Sequence, residues 1–219
     1  MAMASKTASS DDSDARISGK AVVQSMYTDY LKVTPYDWQV IAVFFLALER
    51  RDVLAVQPTG ARKSLVVHGA VAIENGVVLH VVPLLAIGAD QTQDARAFHA
   101  HANSSAECYH LDGLGLEDQK HLQEYLKGIQ SRAGHNILLI CSPLLLLKPS
   151  WVLVLDRLWT LGIISYGCLD EMQKALTVED YRPDCLQHTF LAVDLFLSMW
   201  YCIDSPFVDC AYSCFFVCR

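Results

Sequence analysis

The sequence predicts an α/β fold, a parallel sheet with helices on both faces and a ligand site at the C-terminal ends of the strands. Three observations predict it. Short β-branched or Leu-rich runs alternate with longer segments of helical pattern. A Pro-Thr-Gly turn ending in Lys63-Ser64 joins one such run to the helical segment after it. A later run ends in two adjacent acids, Asp170-Glu171.

Taken in order, Tyr36 to Arg50 reads as a helix feeding a first strand, Val53 to Val56. After the turn a helix runs from about Lys63 to Glu74, followed by a strand over Val77–Val82 and a helix from Leu84 to about Phe98. Ala106 to His110 is a weaker third strand. Leu116 to Ser131 is amphipathic, with Leu122, Leu126 and Ile129 on one face. Ile137 to Cys141 is a buried strand stopped by Ser142-Pro143, Trp151 to Leu161 a helix, and Ile163 to Leu169 the strand that leads into the acids. No internal repeat is present.

Composition frames these elements. With 53% hydrophobic and 19% charged residues among 219, the chain has the makeup of one globular domain with an appended segment. Residues 1–20, rich in Ser, Ala and Asp without apolar periodicity, are expected to form a disordered leader. They lack the apolar core of a signal peptide, and their Asp residues argue against a mitochondrial presequence. Residues 21–185 hold the predicted domain and 186–219 a Cys- and aromatic-rich tail. The longest apolar run, Thr189 to Ile203, is short for a bilayer and carries Asp194, so no membrane association is expected. Without a secretion signal, the eight cysteines are expected to be reduced in an intracellular protein.

Val56 to Ser64 occupies the strand-to-helix context of a phosphate-binding loop. Backbone amides at a helix N-terminus face an anion; Lys63 can reach the β- and γ-phosphates of ATP, and the Ser64 hydroxyl can ligate Mg²⁺. Thr59, Gly60, Ala61 and Arg62 complete the loop. Arg62 stands where the full pattern has glycine, a position at which a left-handed backbone costs about 1–2 kcal/mol for any other residue. At the end of its strand, Asp170 suits Mg²⁺ and Glu171 a general base for water. Acids at a helix N-terminus would also complement its dipole, which is the plainer reading of that pair by itself.

The order of several segments resembles the RecQ-type helicases of superfamily 2, the DEAD/DEAH-box group. Pro58 to Ser64 is similar to motif I and Val82 to Gln91 to motif Ia. Ile140-Cys141-Ser142-Pro143 resembles motif Ib, Asp170-Glu171-Met172-Gln173 the DExH box, and Tyr181-Arg182-Pro183 the aromatic-Arg-Pro after it. Tyr36-Asp37-Trp38-Gln39 resembles the glutamine motif. The resemblance runs from about Pro35 to Asp184. It implies a RecA-like lobe that binds ATP and Mg²⁺ and, as partner, single-stranded or forked DNA, with RNA left open. It implies a nuclear location in a eukaryote. Gln39 would read adenine. Pro83, Leu84, Leu85, Asp90, Gln91, Ser142 and Pro143 would face the strand, through its backbone rather than its sequence.

Departures from the family pattern shape the functional expectation. Besides Arg62, Gln173 replaces the histidine of the box and Lys174 to Asp180 holds no tryptophan. No Ser/Thr-Ala-Thr motif III and no second lobe follow, so a protein partner would have to supply the arginine finger, worth on the order of 10³–10⁵ in rate. The net charge of −7 also differs from a dedicated DNA-binding domain. The leading expectation is the ATP-binding lobe of a DNA helicase, weak or inactive alone. The alternative is a non-catalytic remnant acting as a nucleic-acid or protein binding module. A phosphate-loop kinase leaves the Pro-Leu, Asp-Gln and Arg-Pro matches unexplained.

Two further clusters carry plain readings. His99, His101 and His110 lie close in sequence without a completing Cys or acid, as solvated loop histidines. Cys210, Cys214 and Cys218 are spaced so that a helix would stack them, but they lack Cys-x-x-Cys pairs. The tail is expected to cover a bare sheet edge or to be an aberrant end.

Overall fold

The run-and-helix pattern produces, in chain order, helix α1 (Ser10–Ser25), a π-helical turn (Met26–Tyr30), α2 (Asp37–Ala47), strand β1 (Val53–Pro58), α3 (Ser64–Ile73), β2 (Gly76–Val81) and α4 (Leu85–His101). There follow β3 (Glu107–His110), a 3₁₀ turn (Leu111–Gly113), α5 (Leu116–Gly128), β4 (Asn136–Cys141), a second 3₁₀ turn (Leu145–Leu147), α6 (Pro149–Thr160), β5 (Ile164–Leu169) and β6 (Tyr212–Cys218). This computed structural model describes residues 10–58, 60–82, 85–102, 104–170 and 212–218.

The strands form one sheet of six in the order β1-β6-β5-β2-β4-β3. β2 pairs in parallel with β4 and β5, and β4 in parallel with β3. Strands covered on both faces read as continuous apolar runs rather than as alternations, and β2 and β4 do so. Val77, Leu79 and Val81 pack with Leu122 and Leu126 of α5 and with Trp151, Val154 and Leu158 of α6. Val78 and Val82 pack on the opposite face with Val43 of α2 and with Leu65, Val66 and Ala70 of α3. The fold is therefore α/β, with helices on both faces of a largely parallel sheet, as expected.

Two expectations are corrected. Residues 10–20, read as part of a disordered leader, form the first turns of α1. The helix is anchored further on: Val23 and Tyr27 are fully buried, and the Tyr27 hydroxyl donates to the Leu65 carbonyl at 2.9 Å. Gly19 permits a close approach, since a Cβ there would stand 2.6 Å from the Phe44 ring. The weakly patterned N-terminal turns extend a helix that its C-terminal half holds in place.

The second correction concerns the tail. Residues 214 and 218, placed on a helix face from their spacing, belong to strand β6, which runs antiparallel between β1 and β5. The tail segment 212–218 fills the interior of the sheet rather than covering an edge. The signal was present, because Tyr212-Ser-Cys-Phe-Phe-Val-Cys218 is rich in the aromatic and β-branched types that suit strands.

Candidate nucleotide and nucleic-acid site

The loop expected to bind phosphate leaves β1 at Pro58 and enters α3 at Ser64. Gly60 has φ +84°, and Arg62, at the position expected to want glycine, has φ +55°. A side chain in this left-handed region costs about 1–2 kcal/mol, so something must hold it there. Gln39 does. Its Nε2 donates to the Arg62 carbonyl at 2.8 Å and to the Ala61 carbonyl at 3.4 Å, while its Oε1 accepts the Tyr36 N–H at 2.7 Å. The side chain is completely buried. Gln39, expected as the adenine reader, thus has both ends of its amide engaged within the chain and acts as a positioning residue for the loop.

Lys63 arches back over the loop, its Nζ donating to the Pro58 carbonyl at 3.3 Å, and only 9% of the residue is exposed. A buried ammonium held against one carbonyl keeps spare donors for an anion at the loop. Arg62 is exposed, Ala61 and Ser64 half-buried. A Cβ built on Gly60 meets nothing within 4 Å, so the loop is open on that side. These features suit a phosphate group. Tyr27 steadies the same end of α3 through Leu65.

At the other strand end, the Asp170 N–H donates to the Val81 carbonyl at 3.0 Å, which extends the parallel pairing by one residue past β5. Its Oδ2 accepts from Gln91 Nε2 at 3.1 Å. A residue of the expected strand-facing segment and an expected metal ligand are thereby joined. His80 of β2 is buried beside them. Burial pushes its imidazole down to about 4, against a smaller upward pull from the Asp170 carboxylate.

Ser142, at the end of β4, is held by a residue the sequence reading passed over. The Asp112 carboxylate accepts the Ser142 N–H at 2.6 Å through Oδ2 and the Ser142 hydroxyl at 2.7 Å through Oδ1. An Asp-Gly pair signals a turn, but nothing local names the partner of its carboxylate. Ser142 is buried, Pro143 half-buried and Asp90 exposed. Thr59, Pro83, Leu84, Glu171, Gln173 and Tyr181-Arg182-Pro183, together with the Leu85 side chain, lie outside the described residues.

The two halves of the expected magnesium site leave strands that are not neighbours, since β6 lies between β1 and β5. Through β6, Leu169 pairs with Phe216, which pairs with Leu54. Ser64 and Asp170 share no hydrogen bond among the described residues, and no group of three or more His, Cys, Asp or Glu there could hold a metal ion.

The histidines differ from expectation. His99 is buried in α4 against His68 of α3, the ring centroids 5.2 Å apart, and His68 stacks on Phe98 at 4.7 Å. Burial pushes His68 down to about 3, helped by the charges of His99 and His80, and pushes His99 down to about 4. Neither is a solvated loop residue; only His101 of the three expected is exposed. Cys108, Cys141 and Cys168 are buried and outside any disulfide among the described residues, and burial lifts Cys108 to about 11.

Fold and loop together define an α/β domain, its largely parallel sheet flanked by helices, compatible with a RecA-like lobe. No family model matches the sequence. Over 150 residues, 68% of the chain, the protein is 27% identical to the ATP-dependent DNA helicase Q5 of Rattus norvegicus. The matched region covers 15% of that helicase, so the chain spans a small part of its relative's length. Among the described residues no helix is long and apolar enough to cross a membrane.

Proposed function

We propose that this chain is a RecQ-like helicase ATP-binding lobe, binding ATP with Mg²⁺ at residues 58–64 and single-stranded or forked DNA along the C-terminal ends of the strands. The observation that carries it is the loop itself: Gln39 holds Arg62 in the left-handed form that a phosphate loop needs, over a nearly buried Lys63. The similarity to a protein named a DNA helicase supports the nucleic-acid half.

In this reading Lys63 and Ser64 would hold phosphate and Ser64 with Asp170 the magnesium ion. Bound Mg²⁺ supplies charge neutralisation for phosphoryl transfer. Glu171 would orient water, and Thr59 to Arg62 would line the phosphates. Gln39 positions the loop; reading adenine would require it to exchange its present partners. Leu85, Asp90, Gln91, Ser142 and Pro143, with Pro83 and Leu84, would face the strand. The location proposed is the nucleus of a eukaryotic cell, and a protein supplying a second lobe would complete the machine.

A second reading, a binding module without turnover, is favoured by β6, which separates the strand of the loop from the strand of Asp170. Steady-state ATP hydrolysis with and without oligothymidylate separates the two. DNA-stimulated turnover that Lys63→Ala removes supports the helicase lobe; ATP and DNA binding without stimulated turnover supports the binding module.

A further inference from the structure

A cleft of about 430 Å³ opens between α4 and the turn that follows β3, lined among others by Thr92, Gln93, Arg96, His110, Gly113 and Leu114. Its size suits a nucleotide-sized group. Arg96 is fixed at the sheet edge, its Nε donating to the Cys108 carbonyl of β3 at 2.9 Å, which leaves the terminal nitrogens of the guanidinium as free-standing donors by the residue's geometry. The His110 ring fits between two glycines. A Cβ at Gly88 would come within 2.7 Å of its Nε2, and one at Gly113 within 2.7 Å of its Nδ1. That Nε2 is buried with no hydrogen-bond partner among the described residues. Among the described residues the lining holds the Arg96 guanidinium, the Thr92 hydroxyl and the Gln93 amide and no carboxylate, the chemistry of an anion site rather than a cation site.

The cleft adjoins the proposed strand-facing residues. Gly113 belongs to the 3₁₀ turn whose Asp112 grips Ser142. Ala89, which also lines it, precedes Asp90 and Gln91 on α4. We propose that this cleft holds a phosphodiester group of the bound strand through Arg96 and Gln93, extending the strand track to the β3 edge of the sheet. The inference rests on the helicase-lobe reading for its occupant.

The test is fluorescence anisotropy of a labelled oligothymidylate as a function of salt, with the full chain carrying Arg96→Gln, Arg96→Lys, Gln93→Glu or Gln93→Lys. Loss of one phosphate contact lowers the slope of log K against log salt by about 0.7. Arg96→Gln should show that change with about fivefold weaker binding, and Arg96→Lys should keep the slope. Gln93→Glu should weaken and Gln93→Lys tighten binding, through an exposed side chain whose replacement leaves the fold intact. A purely structural role for Arg96 would lower thermal stability without moving the slope, and that result overturns the proposal. Oligothymidylate binding that Asp112→Ala weakens but these four variants leave untouched overturns the cleft while sparing the strand reading. No binding by the wild-type chain removes both.

Discussion

The proposed phosphate loop and the Ser142–Asp170 shelf are both candidate sites at strand ends, yet they are built differently. At the shelf, parallel pairing sets β3, β4, β2 and β5 side by side, and side chains lock across the ends: Asp112 to Ser142 and Gln91 to Asp170. At the loop, β1 touches the rest of the sheet through the antiparallel β6, and a non-glycine residue sits at positive φ under the grip of one glutamine. The shelf is tied by two separate side-chain locks and the loop chiefly by Gln39. A ligand at the shelf would meet a preformed surface. A ligand at the loop would meet local strain that a single side chain maintains.

The largest effect that can test the contrast is pH. His68, His80 and His99 are held neutral by burial, with pKa values near 3, 4 and 4. In the unfolded chain an imidazole takes a proton below about 6.5. The unfolded state therefore binds more protons from about 6.5 down to those lowered values. Stability should be level above that window and fall as pH drops through it, by up to about 1.4 kcal/mol per pH unit for each imidazole. Urea midpoints near neutrality and near about pH 5 measure it; His99→Phe should flatten the slope. Equal midpoints would mean the three rings are not buried together.

Next is the core beneath the shelf. Trp151 is fully buried and donates from Nε1 to Gln119 Oε1 at 3.3 Å. Trp151→Ala should cost about 3–5 kcal/mol, read as a fall in the thermal midpoint. A smaller loss follows at the shelf itself: Asp112→Ala removes two hydrogen bonds from Ser142 and should cost about 1–3 kcal/mol while weakening DNA more than ATP. Weakening of both ligands alike would erase the distinction between the two regions. The smallest effect has the opposite sign. Arg62→Gly should stabilise the chain by about 1 kcal/mol, since glycine adopts positive φ without penalty, and chemical denaturation resolves a shift of that size.

Much of this was legible in the sequence because it is local. The runs Val77–Val82 and Ile137–Cys141 announce strands, and Leu122, Leu126 and Ile129 mark the buried face of α5, with all three buried as expected. The loop at Pro58–Ser64 and the left-handed requirement at Arg62 could be read from residue types alone. What was hidden depends on distant partners. The grip of the Gln39 amide on Arg62 spans 23 residues, and His99 looks like a loop residue until α4 extends to His101 and turns it against His68. The place of β6 between β1 and β5 depends on pairing across more than forty residues of separation (212 − 169 = 43), which no local pattern encodes. Asp112 was missed for the same reason, its partner lying 30 residues on.

The strained loop at residues 58–64 is proposed as a working phosphate site. Isothermal calorimetry of Mg²⁺-ATP with the wild-type chain, Lys63→Ala and Arg62→Gly tests it most directly. Binding that Lys63→Ala abolishes and Arg62→Gly tightens is the predicted result. A folded wild-type chain that binds no nucleotide, with or without single-stranded DNA, would contradict it.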